Sequence, residues 1–399
     1  MTQIVSPPMG TSPTLNTPLG RIRDVLPKIA AQAAQTEDAR RISPELVDDL
    51  RAAGCFRMLL PKSHYGEEIS LLDALAIARE IARADGATGW TASLLATTPL
   101  LLAFLPAASF DEIYADGPDV IAAGALAPKG KATPEDGDWR VSGQWPFASG
   151  CQEASYIYLQ CIEQKDGRPV FGSDGIPVMR LVVFDAADVE ILDTWEVSGL
   201  RGTGSHDVRV DNLLCPGDRS ALLLGGTPSQ RSPLLHAPVL DQLGLFIAAI
   251  ATGIAEGAVG EVADLARSGK RPAFSPRGLG QSPLFQYSLG EAHMKSSAAA
   301  ALLLSEAETT WSQALADAPF TLHDRARMRA TAAQATALAV EAVDTAYTIG
   351  GGSAIYETSP LQRRLRDVHA ATQHVAARRD SFAILGAVLA GADVGDIRI

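Results

Sequence analysis

The sequence predicts a mainly α fold with a central β-domain, and three observations carry that reading. Apolar residues recur at i, i+3 and i+4 on either side of the chain's middle. Between about 119 and 217 the texture changes to short β-branched and aromatic runs cut by Gly, Pro and Asp. With 399 residues, 47% of them hydrophobic, the chain can bury one large or two ordinary cores, and its length predicts two or three domains.

In chain order, residues 1–18 are rich in Pro, Ser and Thr and read as a disordered lead-in. Residues 19–118 form the expected N-terminal helical domain: Ser43, Pro44 and Glu45 mark a helix start, and LLDALAIAREIARADGATGWTASLLA carries the helical period. Pro61 and Gly66 in LLPKSHYGEEIS break the helices there. The middle β-domain, 119–217, contains the runs VIAAGALA, WRVSGQWPFASG, YIYLQCIE, VMRLVVFDA, VEILDTWEV and HDVRVDNLLC. After the linker GGTPSQRSP, residues 235–399 return to long Ala- and Leu-rich helices, apolar on several faces. Such helices need partners, which predicts a bundle and association between copies.

A formal net charge of −12 and the lack of a dense Lys/Arg run exclude a surface built for nucleic acid or an anionic membrane. A small molecule or another protein is the expected partner. Cys55, Cys151, Cys161 and Cys215 are scattered without a CxxC pair, so they read as structural thiols; no metal site is expected. The N-terminus lacks the basic start and apolar centre of a secretory signal, and no apolar run reads as a membrane span, so a cytoplasmic protein is expected.

Three motifs carry a resemblance. WRVSGQWPFASGC at 139–151 places Phe147 and Ser149 in an aromatic–x–Ser step; DTWEVSGLRGTGSHDVRVDNLLCP spans 193–216, and IGGGSAIYETSPLQRRLRDVHAATQH spans 349–374. With the α, β, α-bundle order, these segments resemble the acyl-CoA dehydrogenase fold: an N-terminal helical domain, a β-barrel-like middle domain and a C-terminal four-helix bundle. That family's dehydrogenases carry a glutamate after the RD pair, where this chain has Val375 with His374 beside it. Glu357 lies before the RD pair and matches a different position. GWTASLLA, FASGC, SGLRGTGS and SPLQRRLRDVHAATQH are closer to the two-component flavin-dependent monooxygenases of the same fold. That group includes phenol hydroxylases and dibenzothiophene monooxygenase.

The resemblance implies an oxygenase component that takes reduced FMN or FAD from a separate flavin reductase. The flavin would react with O2 to give a C4a-hydroperoxide, and one oxygen would pass to an aromatic or heteroaromatic small molecule. It implies a homotetramer. His374 becomes the expected catalytic histidine, with His369 the weaker candidate, because imidazole switches readily between donor and acceptor. Ser149 would stand near flavin N5. Leu126, Ala127, Phe147, Ala148 and Ser149 would border the flavin; Arg271, with Lys270 or Arg277 as substitutes, would meet its phosphate across a subunit boundary, beside Gly351 and Gly352. Trp90 and Thr98 would wall the substrate pocket. Thr98 and Ala125 stand where some phenol hydroxylases of the group carry His and Ser, which turns the expectation away from a simple phenol. No GxGxxG follows a strand, so no Rossmann nicotinamide site is expected. Two other readings stay open on sequence: an acyl-CoA dehydrogenase with its base elsewhere, and a non-catalytic flavin-binding protein.

Overall fold

The computed structural model describes residues 17–272, 275–392 and 394. The expected lead-in therefore lies outside the described residues except for Thr17 and Pro18. These two already start the first helix: the Thr17 hydroxyl accepts from Gly20 N at 3.1 Å, and Pro18 takes the position where a missing N–H costs nothing.

Five helices come first: α1 Pro18–Ala39, α2 Pro44–Ala52, α3 Leu71–Ala84, α4 Gly86–Leu102 and α5 Ala107–Ile113. Ser43 caps α2, its hydroxyl accepting from Leu46 N at 3.2 Å. The long helical run of the sequence divides at Asp85, which is extended and caps α4 by accepting from Thr88 N at 2.8 Å.

The strands are β1 Ala122–Glu135, β2 Asp138–Ala148, β3 Tyr156–Lys165, β4 Arg168–Pro169, β5 Met179–Asp185, β6 Glu190–Leu192, β7 His206–Cys215 and β8 Ser220–Ala221. They make one eight-stranded sheet, ordered β6-β7-β2-β1-β3-β5-β8, with β4 paired to β3. Its pairs are antiparallel except β1 with β3, whose register breaks between Ala125 and Gly130. β8 carries the sheet past the expected boundary at 217. Trp145 is fully buried in its core, and its indole N–H donates to Gln160 O at 2.7 Å, tying β2 to β3.

The bundle follows: α6 Pro233–His236, α7 Val239–Arg267, α8 Pro283–Leu315, α9 Leu322–Gly350, α10 Pro360–Ala371 and α11 Ser381–Leu389. α7 packs against α3 on one side and α9 on another. By length and composition alone it is apolar enough to cross a membrane. Its most apolar stretch is 89% buried within the fold, which makes it the core helix of the bundle. α10 is anchored by the motif's own charges. Arg364 donates to the C-terminal carbonyls of α3, Ala82 O at 3.0 Å and Arg83 O at 2.7 Å, and Arg366 donates to Ser198 O at 2.6 Å. The Asp367 carboxylate accepts from Leu200 N at 2.6 Å. The RRLRD segment thus holds the helical domain, the β-domain and the bundle around one cavity.

Candidate active site

That cavity holds about 580 Å³ and is walled by α4, the register break of β1, the end of β2, β3, the loop before β7, α7 and the turn after α10. At its β2 wall the register with β7 breaks between Trp145 and Ala148. Phe147 lies in that break with φ +70° and 64% of its surface exposed. A non-glycine residue held there costs on the order of 1–3 kcal/mol, and such strain concentrates at functional sites. Its ring meets Trp195 edge-on, centroids 6.1 Å apart. Trp195 is in turn placed by the buried His206, whose Nδ1 accepts from Thr194 N and Trp195 N, each at 3.3 Å.

Beside Phe147 runs a chain of hydroxyls. Trp90 Nε1 donates to Ser149 Oγ at 3.1 Å; Ser149 and Ser205 hydroxyls are 2.7 Å apart, Ser205 and Thr203 are 2.7 Å apart, and Thr203 Oγ1 donates to Leu200 O at 2.8 Å. All of these side chains are buried. The Ser149 hydroxyl is therefore oriented before any ligand arrives.

His374 lies across from this chain, edge-on to Trp90 at 5.7 Å between centroids. It ends the helical turn after α10, and its Nδ1 accepts from Ala376 N at 3.2 Å. With Nδ1 the acceptor, the proton of the neutral ring sits on Nε2. Burial pushes its pKa down to about 4, so the ring is neutral at pH 7.

Leu126, Ala127, Phe147, Ser149, Trp90 and His374 all line the cavity. Ala148 does not: it is fully buried, because the break at Phe147 leaves its methyl in the sheet core. Thr98 is also off the wall, fully buried with its hydroxyl given to Leu95 O at 2.8 Å, and Thr97 lines the cavity instead. His369 does not line the cavity; its Nε2 is hydrogen-bonded to Asp344 Oδ1 at 2.8 Å, with the side chain exposed on α10. Arg271, Arg277, Gly351 and Gly352 are exposed in the single chain, and neither they nor Lys270 reach the cavity. Gly351 has φ +65°, so its backbone alone requires glycine. Glu357 is exposed and away from the cavity, and among the described residues no Asp or Glu lines it. The sequence reading missed Trp195, Tyr158, Gln160 and Met179 on the walls. The tryptophan of DTWEV was a usable signal; the β3 residues give none until the sheet register places them.

The acyl-CoA dehydrogenase N-terminal domain model matches residues 21–105 and the C-terminal domain model residues 245–379. Indole-3-acetate monooxygenase of Pseudomonas putida is 29% identical, covering 92% of this chain and 90% of its own. The flavin-dependent monooxygenase oxygenase subunit HsaA of Rhodococcus jostii is 32% identical, covering 89% and 93%. The crystal structure of 3-HSA hydroxylase from Rhodococcus sp. RHA1 superposes with a TM-score of 0.89 at 27% identity, covering 96% of this chain and 99% of that one. With helical, sheet and bundle segments closing on a carboxylate-free cavity, this chain belongs to the flavin-dependent monooxygenase oxygenase subunits built on the acyl-CoA dehydrogenase fold.

Proposed function

We propose that the protein is the oxygenase component of a two-component monooxygenase, taking reduced FMN or FAD from a separate reductase and using O2 to oxygenate an aromatic or heteroaromatic small molecule. The observation that carries this reading is the cavity wall. It joins a strained, exposed Phe147, the preset Ser149 hydroxyl and a neutral His374, and it offers no carboxylate. Oxidising an acyl thioester requires a base to take the α-proton, and a histidine with a pKa near 4 is a poor one at pH 7.

The residues present fit a flavin ring. Phe147, Trp195, Leu126 and Ala127 offer it apolar and aromatic surface, and Ser149 offers an oriented hydroxyl at its edge. When bound, the reduced flavin supplies the electrons that activate O2. The chain's own residues do three things. Leu94, Leu101, Leu223, Leu240, Leu243 and Ile247 keep water from the reacting face. The Trp90–Ser149–Ser205–Thr203 chain holds its hydroxyls fixed, so they need not reorganise as charge develops. His374 presents Nε2–H as a donor to an oxygen of the substrate or of the group being transferred.

We further propose a homotetramer. Leu284, Tyr287, Met294 and Leu304 of α8, with Ile355 and Tyr356 before α10, are at least half exposed in the single chain. Association through the bundle would bring Arg271, Gly351 and Gly352 of another copy toward the flavin phosphate.

The experiment is to mix protein and reduced flavin with oxygenated buffer and follow oxidised-flavin absorbance. Its return is expected at least about tenfold later than for free reduced flavin, because a dry, preset site slows loss of activated oxygen. Return at the free-flavin rate rejects the reading. Anaerobic bleaching of bound oxidised flavin by an acyl-CoA would establish the dehydrogenase instead.

A further inference from the structure

Among the polar side chains of the cavity wall that take no part in the chemistry above, Thr97 donates to Leu94 O and Gln373 to the Thr372 hydroxyl, and two others stand on the sheet. Tyr158 and Gln160 occupy alternate positions of β3, and both line the cavity. They are 8% and 4% exposed. The Gln160 carboxamide oxygen has no hydrogen-bond partner, and the Tyr158 hydroxyl bonds to none of the described residues. The Gln160 oxygen is fully buried, and such an unpaired atom is rare in folded proteins and calls for an explanation.

Their placement is enforced. The Tyr158 ring lies against Gly124 on the neighbouring strand, where a Cβ would stand 2.8 Å from Tyr158 Cδ2 and 1.8 Å from its carbonyl oxygen, so only glycine leaves room. Gln160 is fixed through its backbone, which accepts from Trp145 and pairs with Leu181 of β5. β3 is an interior strand of the sheet, the rigid kind of support that recognition groups need.

The rest of the wall is uncharged. Among the described residues, no Lys, Arg, Asp or Glu lines the cavity. A carboxylate entering it would shed its water without meeting a counter-charge, whereas a neutral group at β3 would meet the Tyr158 hydroxyl and the Gln160 carboxamide, able to give and accept hydrogen bonds.

We infer that Tyr158 and Gln160 are the specificity-determining pair of this site, selecting an uncharged planar aromatic or heteroaromatic substrate by a substituent that both donates and accepts hydrogen bonds, of the carboxamide or lactam type. Carboxylate-bearing aromatics are excluded. The inference rests on the oxygenase reading above and separates this chain from its relative named for indole-3-acetate.

The test is oxygen-free equilibrium dialysis of the full-length protein at about pH 7.5, with and without reduced FAD. The probes are indole-3-acetamide and indole-3-acetate, which match in shape and differ in charge. The amide is expected to bind at least about tenfold tighter, since a site built around buried polar groups rejects a ligand that cannot pair them. Tyr158→Phe, which removes one oxygen from an otherwise unchanged ring, and Gln160→Leu are each expected to weaken the amide about tenfold and move the acetate less than about twofold. Equal or tighter binding of the acetate by the unaltered protein overturns the inference, and so does an amide preference that survives both substitutions. Amide selectivity without delayed flavin reoxidation overturns the oxygenase reading and leaves this recognition standing. Delayed reoxidation with acetate preferred overturns the recognition alone.

Discussion

His374 owes its chemistry to one backbone contact. The Ala376 N–H occupies Nδ1 and leaves Nε2 to carry the proton, while burial keeps the ring neutral. A folded-state pKa near 4 lies below the ordinary value of 6.5, so His374 loses its neutral form only as the pH falls toward 4. Product yield per flavin is therefore expected to show no inflection between about pH 5.5 and 8 from this residue. His374→Ala is expected to lower that yield by about tenfold or more, with hydrogen peroxide released in place of product. A yield that changes steeply near pH 6.5 in the unaltered protein, or coupling preserved in the alanine variant, would remove His374 from the role. Phe147 shows the same economy at a neighbouring position. Its left-handed backbone is strained, yet that conformation keeps the aromatic face open beside Trp195.

At the scale of elements, α10 is the clamp, and Asp367 is its most perturbed group. Burial, with Asp85 nearby, raises its pKa from 3.8 to about 7. Between those values the folded protein holds a proton that the unfolded chain has lost. Stability contributed by Asp367 is thus full below about pH 4, falls as pH rises to 7, and is level above that, at about 1.4 kcal/mol for each pH unit crossed. Asp367→Asn keeps an oxygen to accept from Leu200 N and removes the titration. Urea unfolding at pH 5 and pH 8 is expected to show the variant gaining on the unaltered protein by a few kcal/mol at the higher pH. A difference unchanged between the two pH values would refute the raised pKa. The motif that made the family resemblance legible is in this sense structural: Arg364, Arg366 and Asp367 contact main chain of α3 and of the loop at 198–200.

For the whole molecule, the exposed apolar residues of α8 predict assembly. Light scattering is expected to give about four chains, the number proposed above, since an exposed apolar face of this kind favours association. Leu284→Glu with Tyr287→Glu is expected to shift the population to smaller species and weaken flavin binding, because both residues are more than two-thirds exposed and add little to the single chain's core. A monomer that still binds reduced flavin would show that each chain's site is complete alone. Among the described residues, none of the Lys, Arg, Asp or Glu side chains that make up the charge of −12 lines the cavity.

By itself the sequence determined the α, β, α order, because hydrophobic period and turn residues are local properties that no distant contact alters. It also determined the family, because the spacing in WRVSGQWPFASGC and SPLQRRLRDVH survives as a pattern in the chain. Ser149, Phe147, Trp90 and His374 were legible from those patterns. The tertiary structure decided what the patterns do not carry. It put His374 on the cavity wall and His369 beside Asp344, exchanged Thr98 for Thr97 through the rotation of α4, and turned Ala148 into the core. It brought Tyr158 and Gln160 to the wall through the β1–β3 register, a long-range pairing that a one-residue slip would reverse. The neutrality of the cavity is the furthest from sequence reading, since it depends on which of many charged residues the fold leaves outside.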